Sequence, residues 1–107
     1  MALVTLEEAK DYLRVSTSDE DALISSSLSA AAVQVRDVGR ISNDTWEQIV
    51  SDPDEEDDNE LVMTRGLCKI AVLYAMAYLF EHREQADHHD LTITLRSLLF
   101  AVREGVV

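Results

Sequence analysis

The chain has 107 residues, 47% of them hydrophobic and 28% charged, with a formal net charge of −12. That length suits one domain over residues 1–107 with a core of its own. The charge excludes sequence-independent binding to the outside of DNA or to anionic lipid, since both need clustered Lys and Arg.

One Cys leaves no intrachain disulfide and fits a reducing compartment. The opening MALVTLEEAKDYL meets acidic residues almost at once, so no secretion signal is expected and the chain reads as cytoplasmic. Three Gly and one Pro suit helices joined by short turns better than a sheet.

Thr5-Leu6-Glu7-Glu8 has the form of a capping box, in which the Thr hydroxyl and the Glu carboxylate each satisfy the other's backbone N–H. A short helix is predicted from about 6 to 13, with Leu6, Ala9, Tyr12 and Leu13 on its inner face. Val4 is placed to staple its start. Ser18-Asp19-Glu20-Asp21 is read as the next helix start, capped by Ser18 and favoured by acids at the positive end of the helix dipole. Ile24, Leu28, Ala31, Val35 and Val38 then follow helical spacing. Gly39 is the expected left-handed residue past the helix end. The middle of this segment, SSSLSAAAV, is small-sided and suits close approach of another helix.

Residues 40–60 form the irregular part. Asp44-Thr45-Trp46-Glu47 can cap one short turn carrying Trp46, Ile49 and Val50. Pro53 stops regular structure, and DPDEEDDNE is a charge block expected to be solvated and mobile.

A long helix is predicted from Asn59 or Glu60 to about Gln85. Its centre, Leu67 to Phe80, is the only long apolar run in the chain, and it is apolar on every side. Leu67, Ile70, Tyr74 and Ala77 share one side, Cys68, Val72, Ala75 and Leu79 a second, Leu73, Met76 and Phe80 a third. Such a helix must be covered all round. A run of 14 residues carrying Lys69 is too short to span a bilayer. Gly66 inside the helix marks a close contact or a bend. Asp90 is read as the cap of a last helix with Leu91, Leu95, Leu98, Leu99 and Val102 on one stripe, stopped by Gly105.

The fold expected is therefore all-α: a small helical bundle of two long and two to three short helices with an irregular acidic loop. No catalytic, cofactor or metal site is expected. His82, His88 and His89 lack a second ligand at helical spacing and read as solvated turn histidines. The acidic block fails as a calcium loop in two registers, because the sixth and twelfth positions from Asp52 are Asp57 and Met63, and from Asp54 are Asn59 and Arg65. Cys68 sits mid-helix as a small hydrophobe, and the serines from Ser25 to Ser29 lack a nucleophile turn. Tyr74 and Tyr78 read as core residues with their hydroxyls at the rim.

LVTLEEAKDYLRV, SDEDALISSSLSAAAVQVRDVGR, an acidic spacer, CKIAVLYAMAYLFEHRE and a Leu-rich close ending LLFAVRE together resemble the head–tail connector (head-completion or adaptor) proteins of long-tailed bacteriophages and prophages. The most distinctive pieces are Leu6 to Lys10, Glu20 to Ile24 and Tyr78 to Glu84. One departure is HHDLTITL, where family members often carry a Pro before the last helix.

The resemblance implies a homo-oligomeric ring of about a dozen subunits below the portal protein, joined to a tail or stopper protein. The ring keeps the DNA channel continuous without binding DNA specifically. It implies a virion protein assembled in the host cytoplasm, with no catalysis, no cofactor and no membrane. Leu73, Met76, Phe80, Leu28 and Ala31 are then candidate subunit-interface residues. Asp52, Asp54, Glu55, Glu56, Asp57 and Asp58 are candidates for a loop facing the lumen or a partner. The alternative is a small acidic regulator of the antitoxin or anti-repressor kind, whose 51–60 block folds on a basic partner.

Overall fold

The computed structural model describes residues 3–84 and 88–102. Among them are five α-helices and one 3₁₀ turn: α1 Leu6–Leu13, α2 Asp21–Val38, α3 Asn43–Val50, α4 Asn59–Glu81, α5 His89–Leu98, then Phe100–Val102. No strand occurs among the described residues. The molecule measures 39 × 32 × 19 Å, and 19 Å is the thickness of about two helix layers.

α1 starts as its sequence dictates. Thr5 Oγ1 accepts from the Glu8 N–H at 3.1 Å, and the Glu8 carboxylate accepts from the Thr5 N–H at 3.1 Å. α1 and α2 then end alike. The Arg14 N–H donates to Asp11 O and the Val15 N–H to Lys10 O; the Arg40 N–H donates to Asp37 O and the Ile41 N–H to Arg36 O. This paired closure requires a left-handed residue just past the helix. At both ends that residue is an arginine, Arg14 with φ 59° and Arg40 with φ 52°.

The left-handed position was thus expected one residue too early. Gly39 is right-handed, with φ −74°. It is glycine for a spatial reason: a Cβ there would lie 3.0 Å from Val35 O and 3.1 Å from the Ile41 side chain, which folds back over it. Ser18 is likewise not the cap of α2. The helix begins at Asp21 behind Glu20, which makes no side-chain cap, and the Ser18 carbonyl accepts the Asp21 N–H in the preceding turn. Ser42, not Asp44, caps α3, accepting from the Thr45 N–H at 3.2 Å. α5 begins one residue before Asp90. The expected stop at Gly105 lies outside the described residues.

α4 is the axis of the packing. α2 runs against it in the most extensive interhelical contact, and α1, α3 and α5 also touch it. The faces that meet are small: Ser27 and Ala31 are buried on α2, Ala71 and Ala75 on α4. Short side chains let helix axes approach toward the lower end of their usual separation. Around this seam Val4, Ile24, Val35, Ile49, Val72, Met76, Leu91, Leu95 and Leu99 complete one apolar cluster. The last three are the α5 stripe read from the sequence.

Candidate functional site

Three surfaces could serve a partner: the acidic loop, an apolar groove between α2 and α3, and the outer side of α4. The acidic loop is built, not loose. Arg65, one and a half turns into α4, reaches back across it. Its Nε donates to Ile49 O at 3.1 Å, one terminal nitrogen to Gln48 O at 3.0 Å, and the other to Asp57 Oδ2 at 3.0 Å. The α3 C-terminus, the loop and α4 are tied by one guanidinium, whose planar fork of donors suits that task where an ammonium does not.

Within the loop the Asp54 N–H donates to Asp57 Oδ2 at 2.9 Å, and the Glu56 N–H to Asp54 Oδ1 at 3.0 Å. Asp58 caps α4, accepting from the Leu61 N–H at 2.7 Å. The hydrogen bond from the Asp54 backbone, then that from Arg65, holds the Asp57 carboxyl below its ordinary value. Three of its acids, Asp54, Asp57 and Asp58, make local bonds. Asp52, Glu55 and Glu56 are exposed and make no such bond.

The five apolar candidates for the interface divide. Met76 and Ala31 are fully buried within the subunit, because α2 and α4 face each other through them. They belong to its core and not to its surface. Leu73 and Phe80 are half-buried against that core. Leu28 is half-buried and lines a groove of about 460 Å³ with Leu3, Leu6, Trp46 and Val50.

The open side of α4 is another one. Met63 is 75% exposed and Ile70 60%, with Tyr74 at the same helical face and Val62 beside it. These lie opposite Cys68, Val72 and Ala75. Gly66 sits on the open face, and a Cβ there would meet nothing within 4 Å. It is neither a close contact within the subunit nor a helix break, since α4 is continuous through it.

At 23 residues with a mean hydropathy of 1.3 over its best window, α4 is long and apolar enough to cross a bilayer by length and composition. The length argument drawn from the 14-residue run therefore fails. What identifies α4 as a bundle core is its packed side, where Cys68, Ala71 and Ala75 have no exposure at all. Ile93 of α5 and Phe100 of the turn after it are also exposed, with Arg96 beside them.

The groups that could carry chemistry are occupied otherwise. No cluster of three metal-ligating side chains occurs among the described residues. His82 stacks on Tyr78 with ring centres 4.2 Å apart and donates from Nδ1 to Tyr78 O at 2.9 Å. His88 meets the same ring edge-on at 5.8 Å. Two of the three histidines are thus half-buried around Tyr78 instead of solvated. Tyr74 lies at the open face, not in the core. Burial pushes the Cys68 thiol up to about 11, which keeps it protonated and inert at neutral pH.

The described residues thus form a two-layer helical bundle with an acidic loop tied by Arg65 and with large apolar side chains exposed on α4. The particular family follows from its sequence pattern: the description "Phage gp6-like head-tail connector protein" fits residues 3–104, and the chain belongs to that family. No curated protein and no solved structure matches it. The family is structural, its members are components of the virion, and membership implies assembly with other phage head and tail proteins.

Proposed function

We propose that the chain is the repeating subunit of a ring of about a dozen copies that sits below the portal, joins the filled head to the tail, and keeps the DNA channel continuous. It is assembled in the host cytoplasm, and its partners are the portal protein on one side and a tail or stopper protein on the other. The whole of residues 1–107 acts as one connector domain. The observation that carries this reading is the family match over nearly the entire chain.

The electrostatics agree with it. A formal charge of −12 per copy, repeated around a closed ring, gives a wall that repels phosphate and lets DNA pass without sticking. The Arg65-pinned acidic loop is suited to line such a wall, since Asp52, Glu55 and Glu56 are held outward on a fixed backbone. A closed ring also needs two different faces per subunit. The outer side of α4 and the exposed side of α5 are two such faces; Leu73, Phe80 and Leu28 stand at the edges of the covered core, where a neighbour can complete their burial.

Light scattering and negative-stain imaging of the purified protein, alone and mixed with a portal, test this directly. Rings are expected, alone or on the portal. A monomer at every concentration, with no rings beside a portal, overturns it.

A further inference from the structure

The open face of α4 carries Met63, Gly66 and Ile70 at i, i+3 and i+7, two large apolar side chains with a gap between them. From Met63 to Tyr74 it runs about 16 Å along the helix. Its two ends are bounded by exposed acids, Glu60 and Glu81. Ile93 and Arg96 of α5 share one shallow surface with Phe100 of the 3₁₀ turn that follows it, two exposed large apolar side chains and a long cation. Arg96 has no ion-pair partner among the described residues.

Copies of a chain with charge −12 repel one another in most orientations. A contact that forms despite this must bury apolar area and set a cation against acid. The α4 and α5 faces do both. The glycine gap on one matches the arginine on the other, and the acids bounding the first suit the charge on the second.

We infer that the Met63–Gly66–Ile70 face of α4 receives the surface formed by Ile93 and Arg96 of α5 and Phe100 of the turn after it from a second copy of this chain, and that this heterologous contact is the one repeated around the assembly. The inference rests on the ring reading above and specifies its subunit contact. Because the two faces differ, each copy offers one of each, and the contact propagates from copy to copy without a two-fold axis.

Ile70→Glu blocks the first face and Phe100→Glu the second. Both positions are exposed, so both variants are expected to keep the wild-type helical signal and melting temperature. Each alone is expected to associate at least about tenfold more weakly than wild type. Mixed in equal amounts they have one intact pair of faces between them, and are expected to stop at a one-to-one heterodimer by light scattering. Arg96→Glu is expected to weaken assembly as well, and Glu60→Arg to restore part of it. If wild type assembles and the folded Ile70→Glu and Phe100→Glu variants assemble as well as it does, or show no heterodimer when mixed, the contact is wrong and the ring stands. If wild type never assembles, alone or on a portal, both fail. Flotation of wild type on phosphatidylcholine vesicles in place of self-association overturns the inference in favour of a lipid surface.

Discussion

The two sides of α4 are made of the same kinds of residue and have opposite fates. On one side Cys68, Ala71, Val72, Ala75 and Met76 are sealed by α2 and its neighbours. On the other Met63, Ile70 and Tyr74 face outward. The sealed side is small-toothed and bordered by polar ties: Arg65 to the α3 end and Asp57, and Lys69 in an ion pair with Glu8 of α1. The open side has a glycine and no tie of this kind among the described residues. Apolarity alone thus does not decide which side of a helix is core. Complementary size on the opposite helix, together with directional contacts at the margin, decides it.

The largest test of this contrast is a charge on each side. Met76→Glu places a carboxylate where exposure is zero. A loss of several kcal/mol is expected, comparable with the stability of a whole domain of this size, so the variant should be unfolded by circular dichroism. Ile70→Glu carries the same chemical change six residues earlier and is expected to leave the melting temperature within a few degrees of wild type. Equal damage at both positions would erase the distinction between the faces.

Next in size is the tie at the sealed margin. Arg65→Met keeps the apolar stem but leaves the carbonyls of Ile49 and Gln48 without their donor. The Ile49 carbonyl is part-buried and the Gln48 carbonyl exposed, so the loss falls mainly on the first and is expected to cost about 1 kcal/mol. Amide exchange should rise in residues 51–58 more than in the α2–α4 seam. Unchanged exchange in the loop would mean that its own Asp54 and Asp57 bonds suffice to hold it.

How much of this was legible in the sequence follows from the range of each interaction. The Thr5–Glu8 box is written in residues three apart and stands as read; of the last stripe Leu91, Leu95 and Leu99 are buried, but α5 ends at Leu98 and Val102 lies in a 3₁₀ turn after it. The α4 faces were not legible, because a helix apolar all round has no periodic signal to say which side is covered. Met76 and Ala31 could not be told from interface residues for that reason: both are fully buried within the subunit. Arg65 was missed because two of its three partners are backbone carbonyls 16 and 17 residues away, the third being Asp57. The signal available was a lone arginine shortly after a block of acids. The end of α2 was off by one residue because Gly39 drew attention from Ile41, the apolar residue that folds back over the terminus and fixes the register of the closure.

A smaller effect of opposite sign belongs to the open face. Gly66 lies mid-helix with empty space where a Cβ would go. Gly66→Ala removes the backbone entropy penalty of glycine and is expected to stabilise the isolated subunit by up to about 1 kcal/mol, a rise of about 4–8 °C in melting temperature. The same methyl group fills the gap that Arg96 of a neighbour would use, so assembly should weaken while the subunit gains stability. A variant that is both more stable and better assembled would show that the gap receives nothing.

The smallest effect concerns acid and the other tie, Lys69 with Glu8. The Lys69 ammonium, and then the Thr5 backbone N–H, hold the Glu8 carboxyl below its ordinary value of 4.5; Asp57 lies below its ordinary 3.8 by its bonds to the Asp54 backbone and Arg65. A depressed folded value means that the unfolded chain takes up protons first as pH falls. The stabilisation is then fully present above the unfolded values and is lost as pH falls through the folded ones, so stability should decline below about pH 4.5. Glu8 and Lys69 are both about two-fifths exposed, which limits the pair to a few tenths of a kcal/mol. Glu8→Gln keeps a capping-box side chain at that position while removing the charge. It should lower the neutral-pH melting temperature slightly and flatten the acid limb, leaving the Asp57 share. An acid limb as steep as wild type would place the proton uptake elsewhere, and α1 would then be held to α4 by Ala9 and its apolar neighbours alone.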